Sequence, residues 1–100
     1  MDVIRDRFDT TYTVTRSTLQ ADGTMVYYAR AGDEAVARAV VQVFKGCISD
    51  VLVYKESDRG KGIASALYRL IEDELGRPLR PSRIRSAAGR RFWASRRRHG

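Results

Sequence analysis

The chain has 100 residues, the size of one domain, and its 19 Lys and Arg against 12 Asp and Glu give a formal net charge of +7. The single cysteine, Cys47, excludes a disulfide framework and any zinc cluster built from several cysteines. Residues 1–6 lack the apolar core of a signal peptide, and no apolar run reaches membrane length. We therefore expect a cytoplasmic protein with no membrane partner.

The positive charge is concentrated in the last quarter of the chain. Residues 1–75 hold 10 Lys and Arg and all 12 acids, whereas residues 76–100 hold nine arginines and no acid. Such a basic segment attracts nucleic acid, acidic protein surfaces or the phosphates of coenzyme A. The alternative is that these arginines only form a solubilising surface, and the ratio of 16 arginines to 3 lysines fits that alternative.

The first half of the chain predicts four consecutive strands. They cover residues 10–19, 24–31, 35–44 and 47–55, which are rich in β-branched and aromatic side chains. The alanines of the third segment also leave a helix open there. Short turns separate the segments, which predicts an antiparallel meander. The apolar run Val51 to Tyr54 predicts that the fourth strand is buried on both faces.

A helix is predicted over residues 60–75, because Ile63, Leu67, Leu70 and Ile71 form one apolar stripe and Gly76 follows it. A short fifth strand around Leu79 and a last helix over residues 86–97 complete the prediction. The expected fold class is α+β, in one domain over residues 1–100.

The junction between the fourth strand and this helix contains the motif Arg59-Gly60-Lys61-Gly62. Glycines there let the backbone approach a ligand, and the first helical turn directs unpaired N–H groups to the same place. Together these features are typical of a phosphate cradle, although a plain tight turn remains the alternative. The nucleotide-hydrolase P-loop pattern is absent, and Ser65 stands where the dinucleotide fingerprint requires a third glycine.

The pattern Arg59-x-x-Gly62-x-Ala64, after a strand and at the start of a helix, resembles the acyl-CoA pyrophosphate loop of the GNAT family of N-acetyltransferases. A looser resemblance covers residues 86–93, where Ser86 takes the position of a family Asn and Trp93 that of a family Tyr. The resemblance spans about residues 24–95. It implies a truncated GNAT-like fold, without the helices after the first strand and without the last two strands.

The resemblance implies that acetyl-CoA is the cosubstrate and that an amine, of a protein for example, is the acceptor. The pantetheine arm would pair with the backbone of Leu52, Val53 and Tyr54. Asp50 would be the general base, with Glu56 as a second candidate, and Tyr54 or Tyr68 would replace the family Tyr as general acid. The residues expected to contact the cosubstrate phosphates are Arg59, Gly60, Lys61, Gly62, Ile63 and Ala64, and Ser86 is expected to bind another part of the cosubstrate.

Several alternatives stay open at this stage. Asp50 is also explained as a surface carboxylate at the start of a strand, and Tyr54 as a packing residue. The chain could be a non-catalytic GNAT-like module that binds nucleic acid or protein through its arginine-rich C-terminus, or an unrelated α+β interaction domain. An exposed sheet edge would also admit a second copy of the chain, which would make a homodimer. Acetyl transfer is the favoured function, ahead of nucleic-acid binding.

Overall fold

The computed structural model describes residues 2–81 and has an α+β fold. One α-helix, α1 (Ile63–Leu75), follows a short 3-10 turn (Glu56–Asp58). The strands in chain order are β1 (Val3–Arg5), β2 (Thr11–Arg16), β3 (Thr24–Ala31), β4 (Glu34–Gln42), β5 (Cys47–Val53) and β6 (Arg80–Pro81).

The six strands form a single sheet in the order of the chain. Neighbours from β1 to β5 are antiparallel, and the two-residue strand β6 lies parallel to β5. The predicted α+β class and the antiparallel meander are therefore confirmed. Strand β1 was not predicted, whereas β3 to β5 begin within one residue of their predicted starts. The predicted helix over residues 86–97 lies outside the described residues.

Helix α1 packs on one face of the sheet. Register and alternation place Tyr27, Ala39 and Val41 on that face, opposite the buried Leu67 and Ile71 of the helix. The buried alanines of β3 and β4 give the helix room to lie close to the sheet. The alanines that left a helix open for residues 35–44 therefore belong to a strand surface beneath α1.

The prediction that β5 is buried on both faces is wrong. Ile48 and Val51 are buried, but Leu52 and Val53 are only half-buried and Tyr54 is 40% exposed. Among the described residues, α1 covers only one face of the sheet. A β-bulge at Ser49, where Val41 pairs with Ile48 while Val40 pairs with Asp50, sets which β5 side chains point to the other face. The extra residue places Asp50 and Leu52 on the sheet face that points away from α1.

Within residues 2–81, no helix combines the length and the apolar composition that a membrane crossing requires.

Candidate functional site

The loop between β5 and α1 contains two glycines in the left-handed region. Gly60 has φ 78° and Gly62 has φ 88°, values that glycine adopts without the strain of a side chain. A Cβ at Gly60 would meet no atom of the described residues within 4 Å, so no other described part of the chain packs against the loop at this point. Because left-handed residues cannot continue a right-handed helix, α1 begins at Ile63, three residues later than predicted.

Among residues 2–81, no side chain caps the N-terminus of α1. Gly62 is the N-cap residue, and its carbonyl accepts the first helical hydrogen bond from the N–H of Ala66 at 3.0 Å. The N–H groups of Ile63, Ala64 and Ser65 precede that bond, so they have no partner within the helix. They lie at the positive end of the helix dipole. This arrangement is suited to binding an anion.

Both cations predicted for the phosphates lie in this loop, and each one contacts a neighbouring group. The Nε of Arg59 donates to the carbonyl of Val53 at 3.3 Å. The Nζ of Lys61 lies 3.2 Å from Oδ1 of Asp58. The loop therefore brings the two predicted cations together, but each of them already contacts another group of the chain.

The loop is held from the other side by the turn that follows β1. The N–H of Arg7 donates to the carbonyl of Lys61 at 2.6 Å. In the same turn, the buried carboxylate of Asp6 accepts hydrogen bonds from the N–H groups of Phe8 and Thr10 and from the hydroxyl of Tyr12. This support was not predicted, and the only signal for it is the Asp6 to Phe8 spacing of an Asx turn.

The charge state of Asp6 follows from these contacts. Burial opposes the ionisation of Asp6, but the hydrogen bonds and the nearby Lys61 ammonium outweigh burial, so the pKa of Asp6 lies below its usual 3.8. Burial and the bond to Asp6 together raise the pKa of Tyr12 to about 12. Near neutral pH the turn therefore contains an ionised Asp6 and a protonated Tyr12, which is the pairing that their hydrogen bond requires.

The predicted acid–base residues Asp50 and Tyr54 lie together, and Arg38 of β4 connects them. The Nη2 of Arg38 contacts Oδ2 of Asp50 at 3.3 Å, and its guanidinium lies 5.9 Å from the centre of the Tyr54 ring. Burial would lower the pKa of Arg38, but the bond to Asp50 and the neighbouring Tyr54 outweigh burial and raise that pKa. Because Arg38 already contacts the carboxylate of Asp50, an attacking amine would have to share that carboxylate with Arg38.

The outer edge of β5 is only partly paired. Strand β6 pairs with Cys47 and Ile48 alone. On the inner side, β4 pairs with Leu52 and Val53, and the N–H of Tyr54 donates to the Val36 carbonyl at 3.0 Å. Among the described residues, the outer edge beyond Ile48 therefore has no strand partner. This is the edge that the sequence assigned to the pantetheine arm.

The remaining predicted residues divide into two groups. Glu56 lies in the 3-10 turn and is exposed, and Tyr68 is buried beneath the sheet in α1. The sheet therefore separates Tyr68 from Asp50 and Tyr54, whose side chains lie on the other face. Ser86 and Trp93 lie outside the described residues.

An open groove of about 630 Å³ lies elsewhere, between β1 and α1. Its charged lining is mixed, and it contains none of the predicted site residues. The lining side chains include Asp2, Arg5, Arg16, Arg69, Asp73 and Glu74.

Comparison with known proteins finds no matching family model, no matching curated protein and no matching solved structure. The functional argument therefore depends on the geometry of the loop and on the resemblance of its motif.

Proposed function

We propose that this chain is a small acetyl-CoA-dependent N-acetyltransferase with a GNAT-like core. One observation supports the proposal above the others. An antiparallel meander ends in the bulged strand β5, which continues through two left-handed glycines into the uncapped N-terminus of α1, and the chain then returns as β6 parallel to β5. This order of elements is the one that the motif resemblance implies.

The binding step uses backbone groups more than side chains. In the proposed complex, the pyrophosphate contacts the N–H groups of Gly62, Ile63 and Ala64, with Arg59 and Lys61 adding positive charge. The outer edge of β5 at Leu52 to Tyr54 supplies backbone hydrogen bonds to the pantetheine arm. Such an arrangement holds the acetyl group beside the bulge of β5, where an acceptor can reach it from the face away from α1.

In the chemical step, a neutral amine attacks the acetyl carbonyl and the C–S bond breaks. Backbone N–H groups of β5 polarise the carbonyl, and proximity of the two reactants supplies much of the rate. Asp50 takes the proton that the amine loses, and Tyr54 protonates the leaving thiolate. Arg38 contacts both residues and so positions them. An acceptor approaching the sheet face that α1 does not cover is proposed to be the amine of a protein.

A second function is favoured by the distribution of charge. Residues 2–81 contain 12 Lys and Arg and 12 acids, so the net charge of +7 arises from the seven arginines of residues 82–100. The chain would then be a non-catalytic module that keeps the loop and binds nucleic acid or protein through this segment. The engagement of Asp50 by Arg38 fits this function as well.

Two measurements distinguish these functions. Acetyl-CoA at 100 times its Kd should stabilise the fold by about 2.7 kcal/mol, which a thermal shift detects. Turnover on a panel of protein and small-molecule amines then separates an enzyme from a module that binds without reaction. Absence of any shift with acetyl-CoA would contradict both functions and favour an unrelated interaction domain.

A further inference from the structure

We infer that Asp58 competes with the pyrophosphate of acyl-CoA for the ammonium of Lys61, and thereby lowers the affinity of the loop for this ligand. The inference rests on the function proposed above and adds a residue that no motif in the sequence indicated. It starts from the ion pair between Oδ1 of Asp58 and Nζ of Lys61 at 3.2 Å.

This ion pair is better shielded from solvent than a typical surface pair. The side chains of Asp58 and Lys61 are 17% and 33% exposed, whereas those of Glu34 and Lys55, which form another ion pair, are 62% and 60% exposed. Water and salt weaken an exposed pair far more than a shielded one. The contact between Asp58 and Lys61 is therefore the one that an incoming anion must displace.

The local backbone produces the pair. Asp58 is the last residue of the 3-10 turn, and the left-handed Gly60 reverses the chain so that Lys61 returns to it. Lys61 is also near the ionised Asp6, whose pKa it helps to lower. Of these two carboxylates, Asp58 belongs to the loop itself and is the one that the ammonium contacts.

Arg59, the second cation of the loop, also contacts another group of the chain, but that group is neutral. The Nε of Arg59 donates to the carbonyl of Val53, a backbone group at the edge proposed for the pantetheine arm. Binding must replace both contacts, but the Val53 carbonyl is neutral and Asp58 is charged. Asp58 additionally repels the negative pyrophosphate, so removal of its charge should have the larger effect.

The experiment is calorimetric titration of the full chain with acetyl-CoA. We expect Asp58→Asn to bind about threefold more tightly than the parent chain at low salt, since breaking a partly shielded pair has a modest cost, and we expect a smaller gain near physiological salt. The matched control is Asp73→Asn, which makes the same charge change about 15 Å along α1 from its first residue, Ile63, and should leave Kd unchanged.

A double-mutant cycle tests whether Asp58 acts through Lys61. Lys61→Ala should weaken binding, and Asp58→Asn should give a smaller gain in this background than in the parent chain, because only the direct repulsion between Asp58 and the pyrophosphate is then relieved. Asp58→Ser provides a second way to remove the carboxylate if the amide variant folds poorly, as judged by its thermal transition.

The outcomes separate the two proposals. If the parent chain binds but neither Asp58 variant binds more tightly, the role of Asp58 is overturned and the proposed function is unaffected. An equal gain in Asp73→Asn would reduce the effect to net charge and would also overturn that role. If the parent chain does not bind acetyl-CoA, both proposals are overturned together.

Discussion

The two ends of α1 are both defined by a left-handed glycine, yet they differ in how their polar groups are satisfied. At the C-terminal end, Gly76 has φ 71°, and the N–H groups of Gly76 and Arg77 donate to the carbonyl of Glu72 at 2.9 and 3.3 Å. The N–H of Leu79 donates to the Glu72 carboxylate. At the N-terminal end, Gly62 has φ 88°, and no side chain in the described part of the chain caps the first turn.

Charge reinforces this difference. Glu74 lies at the negative end of the helix dipole, which is unfavourable by itself, but the guanidinium of Arg16 contacts it at 2.8 Å and the hydroxyl of Tyr27 donates to it. The hydrogen bond to Glu74 raises the pKa of Arg16, and burial together with Glu74 raises that of Tyr27. The C-terminal end therefore uses its polar groups to stabilise the fold, whereas the N-terminal end leaves donors available for a ligand.

The largest expected effect comes from a matched pair of glycine substitutions. Gly62→Glu and Gly76→Glu both force a side chain into the left-handed region, at a cost of about 1–2 kcal/mol in the free energy of unfolding. Only Gly62→Glu should abolish acetyl-CoA binding, with an increase in Kd of at least about 100-fold, or about 2.7 kcal/mol in binding free energy. Its carboxylate would fill the space of the pyrophosphate and repel its negative charge. Calorimetry checks this. Equal affinities in the two variants would mean that the N-terminal loop is only a turn.

The next effect concerns the proposed chemistry on the sheet face that points away from α1. Asp50→Asn should lower turnover by roughly tenfold or more while changing the Kd for acetyl-CoA less than about twofold, because the amide cannot accept a proton but is nearly isosteric. Steady-state rates across pH, together with titration, measure both quantities. Asp33→Asn, in the exposed turn before β4, is the control. A rate and pH profile identical to those of the parent chain would remove Asp50 from the mechanism.

A smaller effect is expected at the C-terminal end of α1. Tyr27→Phe removes the hydroxyl that donates to Glu74 and should lower the free energy of unfolding by about 1 kcal/mol, a loss that the partly exposed Glu74 limits. Denaturant unfolding measures it, with Tyr28→Phe on the opposite sheet face as the control. Acetyl-CoA affinity should be unchanged. A shift in that affinity would show that the two ends of α1 do not act independently.

Most of the sheet was predictable from sequence because its strands are long and separated by glycine turns. Strand β1 was not, because three residues are too few for alternation, and its extended form depends on pairing between Val3 and Thr13. The start of α1 was predicted three residues early, since periodicity cannot reveal that Gly60 and Gly62 are left-handed. Strand pairing therefore determines β1, and glycine conformation determines the start of α1, whereas the local sequence pattern reveals neither.

The candidate site was predictable in its position but not in its contacts. The motif located Arg59, Lys61 and both glycines, and these do lie together. The pairing of Arg38 with Asp50 depends on the register between β4 and β5 and on the bulge at Ser49. No sequence pattern specifies where one extra residue enters a strand, so neither this contact nor the exposed position of Tyr54 could have been predicted.

The smallest effect on ligand affinity is expected from the C-terminal arginines, which lie outside the comparison of the two helix ends. Truncation after Ser95 removes Arg96, Arg97 and Arg98, and it should change the Kd for acetyl-CoA less than about twofold, since the loop and the edge of β5 supply the proposed contacts. Titration of the truncated chain beside a full-length variant with these three arginines changed to Gln separates loss of charge from loss of length.

The same two variants decide whether the chain is instead a nucleic-acid-binding module. Charge alone should give some duplex DNA binding at low salt, with log affinity falling by about 0.9 per neutralised phosphate against log salt. We expect this binding to be lost near 150 mM salt, roughly the physiological ionic strength. Arg96, Arg97 and Arg98 are consecutive, with no aromatic residue between them to stack on bases. Tight duplex binding at that salt, abolished both by truncation and by the change to Gln, would contradict this expectation. It would make the arginine-rich segment, and not the N-terminal end of α1, the functional part of the molecule.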